Sequence, residues 1–144
     1  MKGMNIIMIT NISHNALLVS DMEKSIDFYC NVVGLTKAFE IHDDEDKPWI
    51  VYLKICDVQF MELFYNGVHD HEKDYASDLI GYHHFCFEID DLDEMGENLY
   101  QLGYINSPKT SPGKDMNSGF WINDPDGNAV EFVKYHPDSP HLKN

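Results

Sequence analysis

The feature that most constrains this 144-residue chain is a pattern that occurs twice. The pattern His-x-x-Leu-x-Val-x-Asp begins at His14, and the similar His-x-x-Phe-x-Ile-x-Asp begins at His84, 70 positions later. A glutamate within an apolar stretch also recurs, at Glu62 and again at Glu131, 69 positions further on. Repetition at a nearly constant offset indicates two copies of one structural unit. The sequence therefore predicts a duplicated fold.

The first copy predicts the element order βαβββ over residues 11–65. Residues 12–19 have the composition of a strand, and Ser20 or Asp21 can cap the helix that follows. Gly34 is suited to ending this helix, because a left-handed residue commonly follows the last turn. The rest of the copy predicts strands at 35–41, 49–55 and 58–65, with an acidic turn at 43–47.

The second copy repeats this order over residues 81–135. A strand is predicted at 82–89, a helix from Asp91 to about Gly103, and a further strand at 104–109. The copy closes with a hairpin over 120–135, whose turn is Asp-Pro-Asp-Gly, a sequence typical of tight turns.

The polar stretch 66–80 between the copies predicts a linker that allows a short helix at 72–79, and residues 136–144 predict a coil tail. The prediction is thus a single α+β domain over residues 11–135, made of two tandem βαβββ modules.

Composition limits the classes of function. A hydrophobic fraction of 43% in a chain of this length indicates one folded domain. The net charge of −15 disfavours nucleic acids and anionic membranes as partners. The first residues do not resemble a signal peptide, and no apolar run reaches membrane-spanning length. Three separated cysteines, Cys30, Cys56 and Cys86, indicate reduced thiols and a cytoplasmic location.

The two histidines and two glutamates of the repeat are the candidate metal ligands. Adjacent strand residues point to opposite faces, so Glu131 lies opposite the apolar face formed by Val130 and Phe132. Burying an unpaired carboxylate costs several kcal/mol, which a bound cation would offset. Two imidazoles and two carboxylates suit a borderline divalent cation: Ni, Co, Zn, Mn or Fe. The predicted ligands are His14, Glu62, His84 and Glu131.

These motifs resemble the vicinal oxygen chelate superfamily, and within it the glyoxalase I-like branch that also includes bleomycin resistance proteins and dioxygenases. The resemblance covers about residues 11–135. It is carried by Ile-Ser-His-Asn-Ala-Leu-Leu-Val-Ser-Asp at 12–21, Gln-Phe-Met-Glu-Leu at 59–63, His-Phe-Cys-Phe-Glu-Ile-Asp-Asp at 84–91, and residues 124–131.

The resemblance implies a fold and an assembly. Each βαβββ module would form an incomplete cup in a curved, mixed sheet, with one divalent metal held between modules by the four predicted ligands. It also implies a homodimer. The metal site would then be formed either within one chain or across the two-fold axis, from His14 and Glu62 of one chain with His84 and Glu131 of the other.

The implied activity is that of a metal-dependent lyase or isomerase acting on a small hydroxy-carbonyl or thiohemiacetal substrate. A proton would leave the carbon next to the carbonyl, giving a metal-bound enediolate. Glu131 or Glu62 would take this proton and return it to the next carbon. We favour Glu131 as the base, although the duplication makes the two glutamates equivalent at the level of sequence.

Three other functions use parts of the same evidence. An epimerase of an acyl thioester needs the same proton abstraction. A ring-cleaving dioxygenase fits less well, because it needs iron with only three protein ligands. A non-enzymatic drug-binding protein needs no metal, so the complete set of four ligands counts against it.

One departure from the glutathione-using glyoxalases concerns arginine. All ten basic residues are lysine, and the chain contains no arginine. The resemblance places the family's two arginines at Leu18 and Ile80. Because arginine is the usual bidentate partner of carboxylates, the thiol carried by the substrate is left open by the sequence.

Overall fold

The computed structural model of the chain describes residues 9–68 and 81–143. The repeated Asp that ends each sequence motif caps a helix: the Asp21 carboxylate accepts from the Lys24 amide, and the Asp91 carboxylate from the Glu94 amide. The elements are β1 (His14–Leu18), α1 (Met22–Asp27) with a π-helical turn at Phe28–Val32, β2 (Thr36–His42), β3 (Pro48–Cys56), β4 (Gln59–Phe64), β5 (His84–Glu88), α2 (Leu92–Gln101), β6 (Ser118–Asn123), β7 (Ala129–Lys134), and a 3₁₀ turn at Pro140–Leu142.

The strands form two small sheets. One has four strands in the order β1-β4-β3-β2, and the other has three in the order β5-β7-β6. The first strand of each module pairs in parallel with the last strand of that module, whereas the remaining pairs are antiparallel. The α+β class is therefore confirmed, with the mixed pairing divided between two separate sheets.

The strand predicted at 104–109 is wrong, so among the described residues the second module has the order βαββ. This segment forms bends, because Pro108 lacks an amide donor and the Ser107 hydroxyl accepts from the Lys109 amide at 3.1 Å. The Tyr104 amide donates to the Leu99 carbonyl at 2.9 Å. The segment is therefore held against α2 instead of joining the sheet. The helix allowed by the linker at 72–79 lies outside the described residues.

Both modules contribute to one hydrophobic core. The buried side chains that form it are Val51, Leu53, Met61 and Leu63 from the first sheet, and Leu99, Phe120, Val130 and Phe132 from the second module. Within residues 9–68 and 81–143, no helix has the length and apolar character that crossing a membrane requires.

Tyr29 joins the two modules through a buried hydrogen bond. Its hydroxyl donates to the Asp124 carboxylate at 2.6 Å. That carboxylate also accepts from the amides of Asp126 and Asn128, at 3.0 and 2.8 Å, which fixes the predicted turn. Gly127 closes the turn with φ +85°, a conformation that glycine adopts without strain. Burial, together with the charge of Asp124, raises the pKa of Tyr29.

Replacing Tyr29 by Phe is expected to lower the free energy of unfolding at pH 7 by about 1.5 to 3 kcal/mol, since a buried carboxylate loses a donor. The raised pKa of Tyr29 also implies that its contribution is complete below about pH 10 and falls at higher pH. Urea unfolding at pH 7 and pH 11 should therefore show a smaller alkaline loss in Tyr29→Phe than in the wild type.

The matched control is Tyr100→Phe, because the side chain of Tyr100 on α2 is exposed. Its unfolding should match the wild type at both values of pH. Some alkaline loss will persist in Tyr29→Phe, because burial also raises the pKa of Tyr82 to about 12. An alkaline loss in Tyr29→Phe equal to that of the wild type would contradict the assignment.

Candidate metal centre

Each repeated histidine lies beside the repeated glutamate of its own module. Glu62 of β4 is opposite the residue two positions after His14, and Glu131 of β7 is opposite the residue two positions after His84. Residues two apart on a strand share a face. The repeat seen in the sequence is therefore a repeat of strand register, which places one imidazole and one carboxylate on the same face of each sheet.

The distances confirm these pairings. His14 Nδ1 lies 3.7 Å from Glu62 Oε1, and His84 Nε2 lies 3.2 Å from Glu131 Oε2. The Glu62 side chain is 11% exposed and the Glu131 side chain 24% exposed, so both carboxylates are largely covered. We call His14 with Glu62 half-site one, and His84 with Glu131 half-site two.

The two half-sites do not meet within this chain. Among residues 9–68 and 81–143, no group of three or more His, Cys, Asp or Glu side chains is arranged to hold a metal ion. Leu63 and Val130, each next to a paired glutamate, belong to the shared core. Because neighbouring strand residues point to opposite faces, both half-sites face away from that core.

The residue before each histidine bonds its Nδ1 atom. The Ser13 hydroxyl lies 2.9 Å from His14 Nδ1, and His83 Nδ1 lies 2.8 Å from His84 Nδ1. In half-site two this bond occupies His84 Nδ1, so His84 Nε2 is the ring nitrogen that faces Glu131. His83 precedes β5, which begins at His84, so strand alternation does not turn its side chain to the opposite sheet face.

An aromatic residue on the antiparallel neighbour lies opposite each glutamate. Tyr52 pairs with Glu62, and Trp121 pairs with Glu131. Burial and a hydrogen bond to Glu62 raise the pKa of Tyr52. The ring centroids of Trp121 and His84 are 4.5 Å apart, and Trp121 is 48% exposed. The motifs of the sequence do not assign either aromatic to the site. Their positions follow from the register of the antiparallel strand pairs.

Cys86 distinguishes the two half-sites. It lies opposite Glu131, at the position that Ala16 occupies in the first module. Burial, with a hydrogen bond to Glu131, raises the pKa of the Cys86 thiol to about 12. The thiol is therefore protonated at neutral pH and differs in this respect from a metal-binding thiolate.

A cavity of about 230 Å³ adjoins half-site two. Glu131 and Trp121 form part of its wall, and the rest comes mainly from the polar segment before β6. The polar residues of that segment that line it are Thr110, Ser111, Asp115 and Asn117. Of the two repeated glutamates, Glu131 lines this cavity and Glu62 does not. The cavity can admit a small molecule beside the Glu131 carboxylate.

The duplicated fold and its paired half-sites define the class of protein, and comparison with known families gives the same result. The family model described as Glyoxalase/Bleomycin resistance protein/Dioxygenase superfamily matches residues 11–132. The chain belongs to this superfamily.

Among characterised relatives, the chain is 30% identical over 128 residues to a probable lactoylglutathione lyase of Vibrio cholerae, covering 85% of this chain and 89% of the relative. It is 29% identical over 126 residues to the lactoylglutathione lyase of Escherichia coli O157:H7, covering 84% and 90%.

Solved structures agree on the fold. A lactoylglutathione lyase from Agrobacterium tumefaciens superposes with a TM-score of 0.61 at 25% identity, covering 88% of this chain and 94% of that one. A glyoxylase/bleomycin resistance protein/dioxygenase domain from Frankia superposes with a TM-score of 0.71 at 18% identity, covering 95% and 100%. The second likeness concerns the fold alone.

Proposed function

We propose that this protein is a glyoxalase-like, metal-dependent lyase or isomerase that moves a proton between adjacent carbons of a small hydroxy-carbonyl or thiohemiacetal substrate. The observation that carries the proposal is the His–Glu pair, placed in the same register in both modules. The names of the relatives, lactoylglutathione lyase, support the same reaction class.

The residues present fit a divalent cation. Each half-site supplies one imidazole nitrogen and one carboxylate, and the two together give an N₂O₂ set suited to Ni, Co, Zn, Mn or Fe. One half-site alone has too few ligands, because catalytic metal sites commonly use at least three protein ligands. We therefore infer a homodimer in which half-site one of one protomer meets half-site two of its partner.

The outward-facing half-sites support this assembly. Each lies on a sheet face opposite the core, so a second copy related by a two-fold axis can cover both at once. In such a two-fold symmetric interface, half-site one of each protomer meets half-site two of the other, at two equivalent places. A dimer would therefore hold two metal centres.

When bound, the cation would supply Lewis-acid stabilisation of the negative charge that develops on the substrate oxygens. Glu131 acts as the base: it takes a proton from the carbon next to the carbonyl and returns it to the neighbouring carbon. The cavity beside Glu131 supports this choice over Glu62. One C–H bond breaks, another forms, and a proton passes between the two oxygens, so no external oxidant or reductant is needed.

The rival functions share some of these features. An acyl-thioester epimerase would use the same Glu131 base and the same cation, and only its substrate differs. A drug-binding protein would use the exposed aromatic side chains Phe39, Trp49 and Trp121. The His–Glu pair, present twice in the same register, has no role in such a protein and therefore favours the enzyme.

The test is metal loading followed by a substrate screen. Protein purified without chelator is loaded with Ni²⁺ or Zn²⁺, and solvent deuterium incorporation into hydroxy-ketones, thiohemiacetals and acyl thioesters is followed by NMR. We expect one cation per chain and metal-dependent exchange with one of the three classes. Protein that cannot be loaded, or that exchanges none of them, would overturn the proposal, and exchange confined to acyl thioesters would establish the epimerase.

The residue before His84 gives a further prediction. His83→Ala removes the hydrogen bond on Nδ1 that orients His84, whose Nε2 faces Glu131. Loss of such an orienting partner typically lowers metal affinity 10- to 100-fold. We expect a loss of that size from His83→Ala in a competition titration with a chromophoric chelator.

The matched control for this variant is His42→Ala. The imidazole of His42 is bonded to Asp46 at 3.0 Å and lies 3.3 Å from Glu40. Its removal should leave metal affinity unchanged. If His83→Ala binds metal as tightly as His42→Ala, the orienting role is wrong.

A further inference from the structure

We propose that the substrate carries an uncharged, hydroxyl-bearing tail that lies in the cavity beside half-site two, in contrast to the anionic tail of a glutathione adduct. This inference rests on the proposed function and names the substrate class of the same site. It is carried by the chemistry of the cavity wall, by its rigidity, and by the distribution of cations in the chain.

The wall is built of groups that bind hydroxyls. The hydroxyls of Thr110 and Ser111 can each donate and accept a hydrogen bond. The exposed face of Trp121 gives an apolar surface between these groups and Glu131, on which carbon-bound hydrogens of a tail can pack. A polyol presents both kinds of group together, namely hydroxyls at its edges and C–H groups on its faces.

The charges at the cavity disfavour an anion. No lysine is among the residues that line it, whereas the carboxylate of Asp115 is; Glu131 also lines it, but the proposed cation would offset its charge. A hydrogen bond from the Asn117 side chain holds the pKa of Asp115 below its usual range, which keeps this carboxylate ionised at neutral pH. An anionic tail would therefore meet like charge at this wall and find no cation among the lining residues.

The lysines of the first sheet, which carries half-site one, are paired with carboxylates of their own chain. The chain has no arginine. Of the lysines in the first sheet, Lys37 is paired with Glu40 at 3.0 Å and Lys54 with Asp57 at 3.3 Å. Neither is available to an anion without first giving up its carboxylate partner.

The cavity is also preformed. The Asn117 side chain is buried, with its Oδ1 accepting from the His136 amide at 3.0 Å and its Nδ2 donating to Asp115 at 2.8 Å. The Gly113 amide donates to the Asn117 carbonyl at 2.8 Å, which closes the segment into a turn. Because these bonds join protein groups to one another, they hold the wall in place, and little ordering is required when a tail binds.

The experiment compares four methylglyoxal adducts whose thiols are similar in size. The thiols are thioglycerol, which carries two hydroxyls; propanethiol, which carries none; mercaptopropionate, which is an anion; and thiocholine, which is a cation. With metal-loaded protein, we expect kcat/KM for the thioglycerol adduct to exceed each of the other three by about ten-fold, the effect of two net hydrogen bonds. The glutathione adduct should resemble that of mercaptopropionate.

The outcomes separate this inference from the proposed function. If none of the five adducts is converted, the proposed activity on thiohemiacetals fails. If all are converted but the glutathione or mercaptopropionate adduct is fastest, the activity holds and the hydroxyl-tail inference is overturned. A preference for thiocholine, or equal rates for thioglycerol and propanethiol, likewise overturns it.

Variants locate the effect in the cavity. Ser111→Ala and Thr110→Val should each lower the ratio of kcat/KM for thioglycerol over propanethiol by about three-fold, because each removes one hydroxyl from the wall. Ser107→Ala is the control, since the Ser107 hydroxyl bonds the Lys109 amide and does not line the cavity. A ratio that falls equally in all three variants would place the tail elsewhere.

Discussion

Replacing Glu131 by Gln is expected to lower kcat/KM by roughly 10²- to 10⁴-fold, the usual contribution of a positioned general base. The amide has almost the size and shape of the carboxylate but cannot take up a proton. Since Glu131 is also a proposed metal ligand, metal content must be measured alongside activity. The assay should therefore be run at saturating Ni²⁺ or Zn²⁺, so that lost chemistry is separated from lost metal.

Two further variants make this result specific. Glu88→Gln changes an exposed glutamate on β5 that shares a sheet face with His84, and it should retain wild-type kcat/KM. Glu62→Gln tests the rival assignment of the base. If metal-saturated Glu131→Gln keeps wild-type activity while Glu62→Gln loses it, the base is Glu62, and if neither loses activity the proposed chemistry is wrong.

The sequence predicted most of the fold because the repeat encodes register. One motif places the histidine on the first strand of each module, and its final Asp caps the following helix at Asp21 and Asp91. The strand at 104–109 was predicted wrongly because its apolar residues suggested a strand. Pro108 and the contacts with α2 outweigh that local preference, and tertiary contacts of this kind are not visible in a sequence window.

The candidate site was predicted in part. The structure places His14 beside Glu62 and His84 beside Glu131, since parallel pairing brings the first and last strands of a module together, whereas their role as metal ligands stays a prediction. The packing of the two modules decides which face of each sheet is turned away from the core. No sequence pattern within one module specifies this packing. The position of Trp121 opposite Glu131 likewise depends on the register of the hairpin.

Several properties inferred from composition stay predictions. The cytoplasmic location follows from the scattered cysteines, and the exclusion of nucleic acid and membrane partners follows from the net charge of −15. The identity of the divalent cation is likewise left to metal analysis, since an N₂O₂ set accepts several ions.

The second large effect expected is recovery of activity when two inactive proteins are mixed. His14→Ala disables half-site one, and Glu131→Gln disables half-site two. If each metal centre combines half-sites from two protomers, every dimer of either variant alone has two defective centres. A mixed dimer has one centre that contains both changes and one that contains neither, so the second is wild type.

This mixing experiment tests the shared metal centre most directly. The two variants, carrying different tags, are unfolded and refolded together, and activity is compared with that of each variant refolded alone. Random pairing makes about half of the dimers mixed, so about a quarter of the wild-type activity should return. A mixture no more active than its parents, although mixed dimers are isolated through the two tags, would contradict a centre built from two chains.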